Sequence, residues 1–333
     1  MIEDKTKDKA FVLVITGPTA SGKSEAAVNA AIRLNGEIIS ADSMQVYKHM
    51  NIGTAKLSDS EMRGIKHHML DFADPRRDFS VAEYQKLALE AIRSIMEKGK
   101  TPIISGGTGL YISSVTEMLS FSGATKNDAY RSELEDFAKV NGTEMLHSLL
   151  AQKDPEIAAS IHHNNLRRVI RALEILNSDT DTRPSRAEPE YRFLIYCLDP
   201  DRKQLYARID ARVSDMLSKG LEKEVRSLLK LGVTCDSTAM QAIGYKELAK
   251  HIHGEITLEG AVNEIKRRTR LYAKRQMTWF RRMHGIIYVK ADINKGNYAI
   301  EDPDTENGYI MSDTDAAGLI LRHLEQSCNM GLT

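Results

Sequence analysis

With 333 residues, 42% of them hydrophobic and 28% charged, the chain can bury one large core or two moderate ones. Its 46 basic and 46 acidic side chains cancel, so no global field gathers a polyanion and any nucleic-acid site must come from local clustering. Cys197, Cys235 and Cys328 are far apart with no CxxC pair, which argues against a disulfide framework or a cysteine-ligated zinc.

The charged start and the lack of an apolar run near ~18 residues predict a cytoplasmic protein without signal peptide or membrane span. Phe11 to Thr16 (FVLVIT) reads as a strand buried on both faces. The glycine-rich stretch GPTASGKS follows, then an alanine-rich helix from Lys23 to Leu34. Glu37 to Ser40 is a second strand, leading to Asp42-Ser43. Val81 to Lys98 is an amphipathic helix stopped by Gly99, and Thr101 to Ser105 is a strand followed by the turn GGTGLY. Strand, turn and helix in repetition predict a parallel α/β sheet, with ligand at the carboxyl ends of its strands.

From about Glu117 to Asp179 no strand is evident, only helical stretches such as Ala129 to Val140 and Asn165 to Leu176. Gly123, Asn141-Gly142 and Asp154-Pro155 punctuate them. This reads as a helical insertion, residues 117–190, closed by the polar loop SDTDTRPSRAEPE. The core, 1–116 and 191–333, resumes with strand Phe193 to Leu198 and helices over 203–219, 239–250 and 257–283. Ile286 to Val289 is expected to be the last strand, before a polar tail and a final helix, Ala316 to Gln326.

The chemistry starts at Gly17-Pro18-Thr19-Ala20-Ser21-Gly22-Lys23-Ser24, which matches G-x-x-x-x-G-K-[ST] at every required place. Glycines let backbone N–H groups converge on phosphate oxygens, and the helix dipole, Lys23 and a magnesium ion on the Ser24 hydroxyl would complete the cradle. Asp42, beyond the second strand, is a magnesium ligand, a general base or a turn cap on position alone. Lys266, Arg267, Arg268, Arg270, Lys274, Arg275, Arg281 and Arg282 crowd one helix, with Tyr272, Trp279 and Phe280 interleaved. That density suits a polyanion, against the plainer reading of a solvated helix face. Arg167, Arg168 and Arg171 form a second basic patch, and Arg208 and Arg212, one turn apart, can together reach a pyrophosphate. His67-His68 lacks a third metal ligand, so a structural role is expected there.

GPTASGKS, ISADSMQVYKHMNIGTAK, HHMLD, FSVAEYQ, GGTGLYI, RVIRALEI, QAIGYKEL and RRTRLYAKRQMTWFRR, in this order over residues 11 to 290, resemble the tRNA dimethylallyltransferases (tRNA isopentenyltransferases). The resemblance implies a P-loop NTPase-like parallel sheet core flanked by helices, with an all-helical insertion domain that helps to grip tRNA. It implies transfer of a dimethylallyl group from dimethylallyl diphosphate to the exocyclic N6 amine of the adenine 3′-adjacent to the anticodon. Diphosphate would lie on residues 17 to 24 with Arg208 or Arg212, magnesium would be the cofactor, and Asp42 with Thr108 would be catalytic. Asp42, Ser43, Met44, Gln45, Thr108 and Arg131 would meet the tRNA. So would Asn165, Arg167, Arg168 and Arg171, then Gln241, Gly244, Tyr245 and Lys246, and finally Lys274, Arg275, Gln276, Trp279 and Arg281. The proline-rich linker expected before Arg131 is missing. With one late cysteine a C-terminal zinc finger is excluded, which fits the bacterial type, and a monomer is the default. The same loop and core would serve an ATP-dependent small-molecule or nucleotide kinase, which leaves the basic aromatic helix unexplained. An isopentenyltransferase of free adenine nucleotides would not need two basic patches, and a GTPase-like switch would need an N-K-x-D motif, which is absent.

Overall fold

Val12 and Val14 face one side of a strand, Leu13 and Ile15 the other, and all four are fully buried. Such a strand must lie inside a sheet covered on both faces. The structure, a computed structural model, describes residues 9–121, 127–178, 188–301 and 309–328. It divides into two units: Met1–Glu117 with Pro189–Thr333, and Met118–Glu188.

The first unit holds β1 (Phe11–Thr16), β2 (Gly36–Ser40), β3 (His67–His68), β4 (Thr101–Gly106), β5 (Arg192–Pro200), β6 (Ile286–Asp292), β7 (Asn297–Glu301) and β8 (Tyr309–Asp313). They form one sheet in the order β3-β2-β4-β1-β5-β6-β7-β8. Every pair from β3 to β6 is parallel, and β7 and β8 continue antiparallel. Its helices are α1 (Lys23–Arg33), α2 (Asp59–Met62), α3 (Val81–Glu97) and α4 (Gly109–Thr116). The second unit holds α5 (Asp128–Asn141), α6 (Thr143–Lys153), α7 (Pro155–Ser160) and α8 (Leu166–Leu176). The chain then adds α9 (Arg202–Ser218), α10 (Leu221–Lys230), α11 (Tyr245–Ile252), α12 (Leu258–Phe280) and α13 (Ala316–Cys328) to the first unit.

On one face of the sheet, Ala26, Ala27, Ala30 and Ala31 let α1 pack closely, with Leu319, Ile320 and Leu324 of α13 in the same core. On the other face lie Tyr84 and Ile92 of α3, Tyr111 and Ile112 of α4 and Phe280 of α12. A third core joins α9 to α12 with Val46, Tyr47 and Met50 from the loop beyond β2. Among the described residues no helix is long and apolar enough to cross a membrane.

Two expectations need correction, and one helix joins those expected. Ile286 to Val289 does not end the sheet. Gly296, at φ +66°, turns β6 back into β7, so Asp292 faces Asn297 and β8 follows. The polar residues of this edge hairpin suit strands with one wetter face, which is why they read as tail. The helix expected over 239–250 is split: a 3₁₀ turn at Ala239–Gln241 gives way to α11 at Gly244, whose φ of +100° a side chain would resist. The added helix is α10, whose Leu221, Val225 and Leu228 carry helical spacing and are all buried.

In the second unit, Leu134, Leu146, Leu150, Val169 and Leu173 form the core of four helices, with no strand among its described residues. Gly123 and most of the expected polar loop, residues 179–187, lie outside the described residues.

Candidate active site

Three loops leave the carboxyl ends of β1, β2 and β4, and hydrogen bonds lock them together. Thr16 Oγ1 donates to Gly106 O (2.8 Å), Ala41 N to Ser105 O (2.8 Å) and Thr108 N to Ala41 O (3.0 Å). Gly106 allows this closeness, because a Cβ there would stand 2.2 Å from Ala41 O. In the phosphate loop Ala20, at φ +65°, holds a left-handed conformation that alanine disfavours. Lys23 Nζ folds back to donate to Pro18 O at 3.1 Å. Burial and the nearby Arg212 lower its pKa to about 8, against the opposing pull of Asp42.

Asp42 is a turn cap that also faces a cavity. Its Oδ1 accepts from Met44 N (2.9 Å) and Gln45 N (3.3 Å), a turn cap, while the residue also lines a cavity of ≈ 300 Å³. Thr108 Oγ1 accepts from Ser43 N at 3.0 Å, fixing the turn that carries Asp42. Thr19, Ser43, Met44, Arg212, Gln241, Gly244, Tyr272 and Arg275 line the same cavity, and Ile209, Val213, Met216, Leu221 and Ile265 give it an apolar wall. Burial, with Asp42 adding to it, raises the Tyr272 hydroxyl and keeps it protonated. A second, larger cavity of ≈ 1380 Å³ is lined by Gly22, Lys23, Ser24, Lys56, Arg208 and Arg212, among others. Arg212 and Met216 line both, so a ligand with an anionic head and an apolar tail can reach from one into the other.

Glu224 organises the opposite wall, and nothing in the sequence pointed to it. Its carboxylate accepts from Asn51 N (2.8 Å), Ile52 N (2.9 Å) and Gly53 N (3.1 Å), and from Tyr245 Oη (2.6 Å). Gly53 has to be glycine: the Tyr245 ring would lie 2.4 Å from its Cβ. Tyr245, expected at the RNA, is fully buried under this loop and is a packing residue. Gln276 is likewise withdrawn from the RNA face, at 5% exposure with both ends of its amide bonded inward. Gln45 faces inward too, its Nε2 donating to Thr54 O at 3.0 Å.

The basic helix α12 divides in two. Arg267 pairs with Glu264, Arg268 with Glu264 and Glu247, and Arg270 with Asp210 at 2.8 Å. Lys274, Arg275 and Arg281 are exposed and form no ion pair among the described residues, and Trp279 is 42% exposed beside them. Lys246 Nζ donates to Gln241 Oε1 at 2.9 Å.

In the second unit Asn165, Arg167 and Arg168 are exposed at the start of α8. Arg131 and Arg171 instead hold the buried Glu174, at 2.8 and 2.5 Å, and Asn127 N joins them at 2.7 Å. Burial alone would raise Glu174, but hydrogen bonds from Arg131, Asn127 and Arg171 outweigh it and hold its pKa at about 2.

No group of three or more His, Cys, Asp and Glu side chains among the described residues would hold a metal unaided. His68 is structural, as expected, its Nε2 2.7 Å from Glu37 Oε2.

A family model described as IPP transferase matches residues 45–283. A tRNA dimethylallyltransferase of Acetivibrio thermocellus is 47% identical over 287 residues, 84% of this chain and 92% of that protein. One from Bacillus licheniformis is 47% identical over 288 residues, 85% of this chain and 91% of that protein. The solved full-length tRNA isopentenylpyrophosphate transferase of Bacillus halodurans superposes with TM-score 0.64 at 43% identity, covering 86% of this chain and 92% of that one. A eukaryotic dimethylallyltransferase, solved acting on tRNA, gives TM-score 0.70 at 29% identity over 86% of this chain and 75% of its own. None of these relatives supports the kinase reading.

Proposed function

The chain belongs to the IPP transferase family, and we propose that it transfers a dimethylallyl group from dimethylallyl diphosphate to the N6 amine of the adenine 3′-adjacent to a tRNA anticodon. The observation that carries this reading is the pair of cavities meeting at Arg212, one cationic and one apolar with a carboxylate at its edge. The diphosphate lies on residues 17 to 24 with Arg208 and Arg212, and the five-carbon tail lies along Ile209, Val213 and Met216. Adenine enters beside Asp42, Ser43 and Thr108.

In the reaction the C1–O bond to diphosphate breaks as the N6–C1 bond forms. The electron pair leaves with diphosphate, where loop N–H groups, Lys23 and the two arginines stabilise it. The N6 proton passes to the Asp42 carboxylate. An adenine amine is a weak nucleophile, so orientation by the Ser43–Thr108 turn matters. The base has to leave its stack to reach this depth, and the apolar wall excludes water from the allylic cation.

Magnesium fits as an ion carried by the diphosphate, with the Ser24 hydroxyl as its protein ligand. It usually keeps several waters and binds through few protein oxygens plus phosphates, which suits a site with no carboxylate cage. When bound it would neutralise leaving-group charge. The exposed Lys274, Arg275, Trp279 and Arg281, and Asn165, Arg167 and Arg168, are the RNA contacts in this reading, in a cytoplasmic, monomeric enzyme.

The test is to follow labelled dimethylallyl diphosphate into tRNA without nucleotide, with the wild type and Asp42→Asn. The asparagine keeps the turn cap but cannot take a proton, so kcat should fall on the order of 100-fold or more with tRNA affinity intact. Strict ATP dependence, or an unchanged kcat in Asp42→Asn, contradicts the assignment.

A further inference from the structure

Gln276 lies in the exposed half of the basic helix, yet its amide is buried and bonded at both ends. Oε1 accepts from Thr19 N in the phosphate loop at 2.9 Å, and Nε2 donates to Gly107 O at 2.8 Å. Gly107 makes room for the amide, since a Cβ there would stand 2.2 Å from Nε2. The following residue, Thr108, holds Ser43 N at 3.0 Å, and Ser43 follows Asp42. One side chain therefore joins the loop of the leaving group to the loops of the acceptor. The flanking Trp279 strengthens the joint: its ring lies against Gly109, where a Cβ would meet it at 2.2 Å.

We propose that Gln276 is a positioning residue that sets the register between the diphosphate loop and the Asp42–Ser43–Thr108 loops. It thereby fixes the span the prenyl carbon crosses from oxygen to nitrogen. The proposal rests on the function given above. It also removes the Thr19 N–H from the donors available to diphosphate, because that group already serves Gln276. Reaction geometry of this kind is steep, with ~1 Å of misplacement costing on the order of 100-fold.

Two variants of the full chain test it. Gln276→Met keeps the side-chain length and loses both hydrogen bonds. Gln276→Glu keeps the acceptor for Thr19 N but, when ionised, sets a carboxylate against Gly107 O; once protonated, its carboxyl restores both bonds. Measured are kcat, the KM for dimethylallyl diphosphate, the tRNA Kd and Tm. For Gln276→Met we expect kcat to fall on the order of 100-fold with the tRNA Kd unchanged. For Gln276→Glu we expect a deficit relative to wild type that shrinks as pH falls. A weakened tRNA Kd with unchanged kcat would make Gln276 an RNA contact and overturn the proposal. So would equal, pH-independent losses in both variants accompanied by a lowered Tm, the mark of a core residue alone. A wild type that moves no label to tRNA defeats the functional reading first and this one with it, whereas an active wild type with unaffected variants defeats this one alone.

Discussion

Two pairs of arginines, one in each unit, are used in opposite ways. Arg131 and Arg171 close on Glu174, a buried carboxylate that also takes a backbone N–H, so both are paired within the fold. Arg208 and Arg212 form no ion pair among the described residues and face a cavity beside Lys23. Burial lowers Arg212 from its ordinary value, against the pull of Asp42 and with the like charge of Arg208 adding to it. A folded chain tolerates such a cluster at a cost in stability, and the physical reason to keep it is an anion that arrives later. The first pair braces the helical unit, and in the proposed function the second meets the diphosphate.

The comparison breaks most sharply at Glu174. Glu174→Ala should remove the buried acceptor shared by Arg131, Arg171 and Asn127 N. It should destabilise the helical unit by about 1–3 kcal/mol, the partly exposed arginines being screened by water, read by thermal unfolding. The pH dependence has a definite sign. Because Glu174 is held at about 2, below its ordinary 4.5, its contribution is complete above about 4.5 and is lost as pH falls toward 2. Stability that is flat through that window would show the Glu174 cluster to be a minor contributor.

Arg212→Gln should behave the other way. It should raise the donor KM or lower kcat/KM by about 10- to 100-fold, the worth of a charge-assisted hydrogen bond, while Tm holds or rises. A fall in Tm as large as that of Glu174→Ala would erase the distinction between the two pairs.

The smallest effect is a titration. With Lys23 at about 8 in the unliganded protein, its charge is present below that pH and fades above it. The donor KM should therefore climb above pH 8, at up to about tenfold per pH unit, and Lys23→Arg should flatten that rise. A KM independent of pH between 7 and 9.5 in the wild type would remove Lys23 from the diphosphate site.

Much of this architecture was legible because local pattern and tertiary role agree. FVLVIT is a central strand, as its short run of β-branched and apolar residues ahead of a glycine turn suggests, and GPTASGKS turns from it into a helix. The pairing of β7 with β8 is hard to read because these segments are half polar, as edge strands can be. The basic stretch of α12 was read as one surface, yet it contains three arginines paired to Glu264, Glu247 and Asp210 and one buried glutamine. Helical spacing gives a side chain's face but not what that face meets.

The sequence alone determined the first buried strand, the phosphate loop and the position of Asp42 at a strand end, since each is a local pattern of neighbouring residues. Only the tertiary structure decided that Tyr245 and Gln276 are internal, that Glu224 pins a loop more than 170 residues away in the chain, and which arginines form ion pairs among the described residues. A hydrogen bond or ion pair between distant residues leaves no periodicity to read. It exists only once folding has brought both groups out of water to the same place.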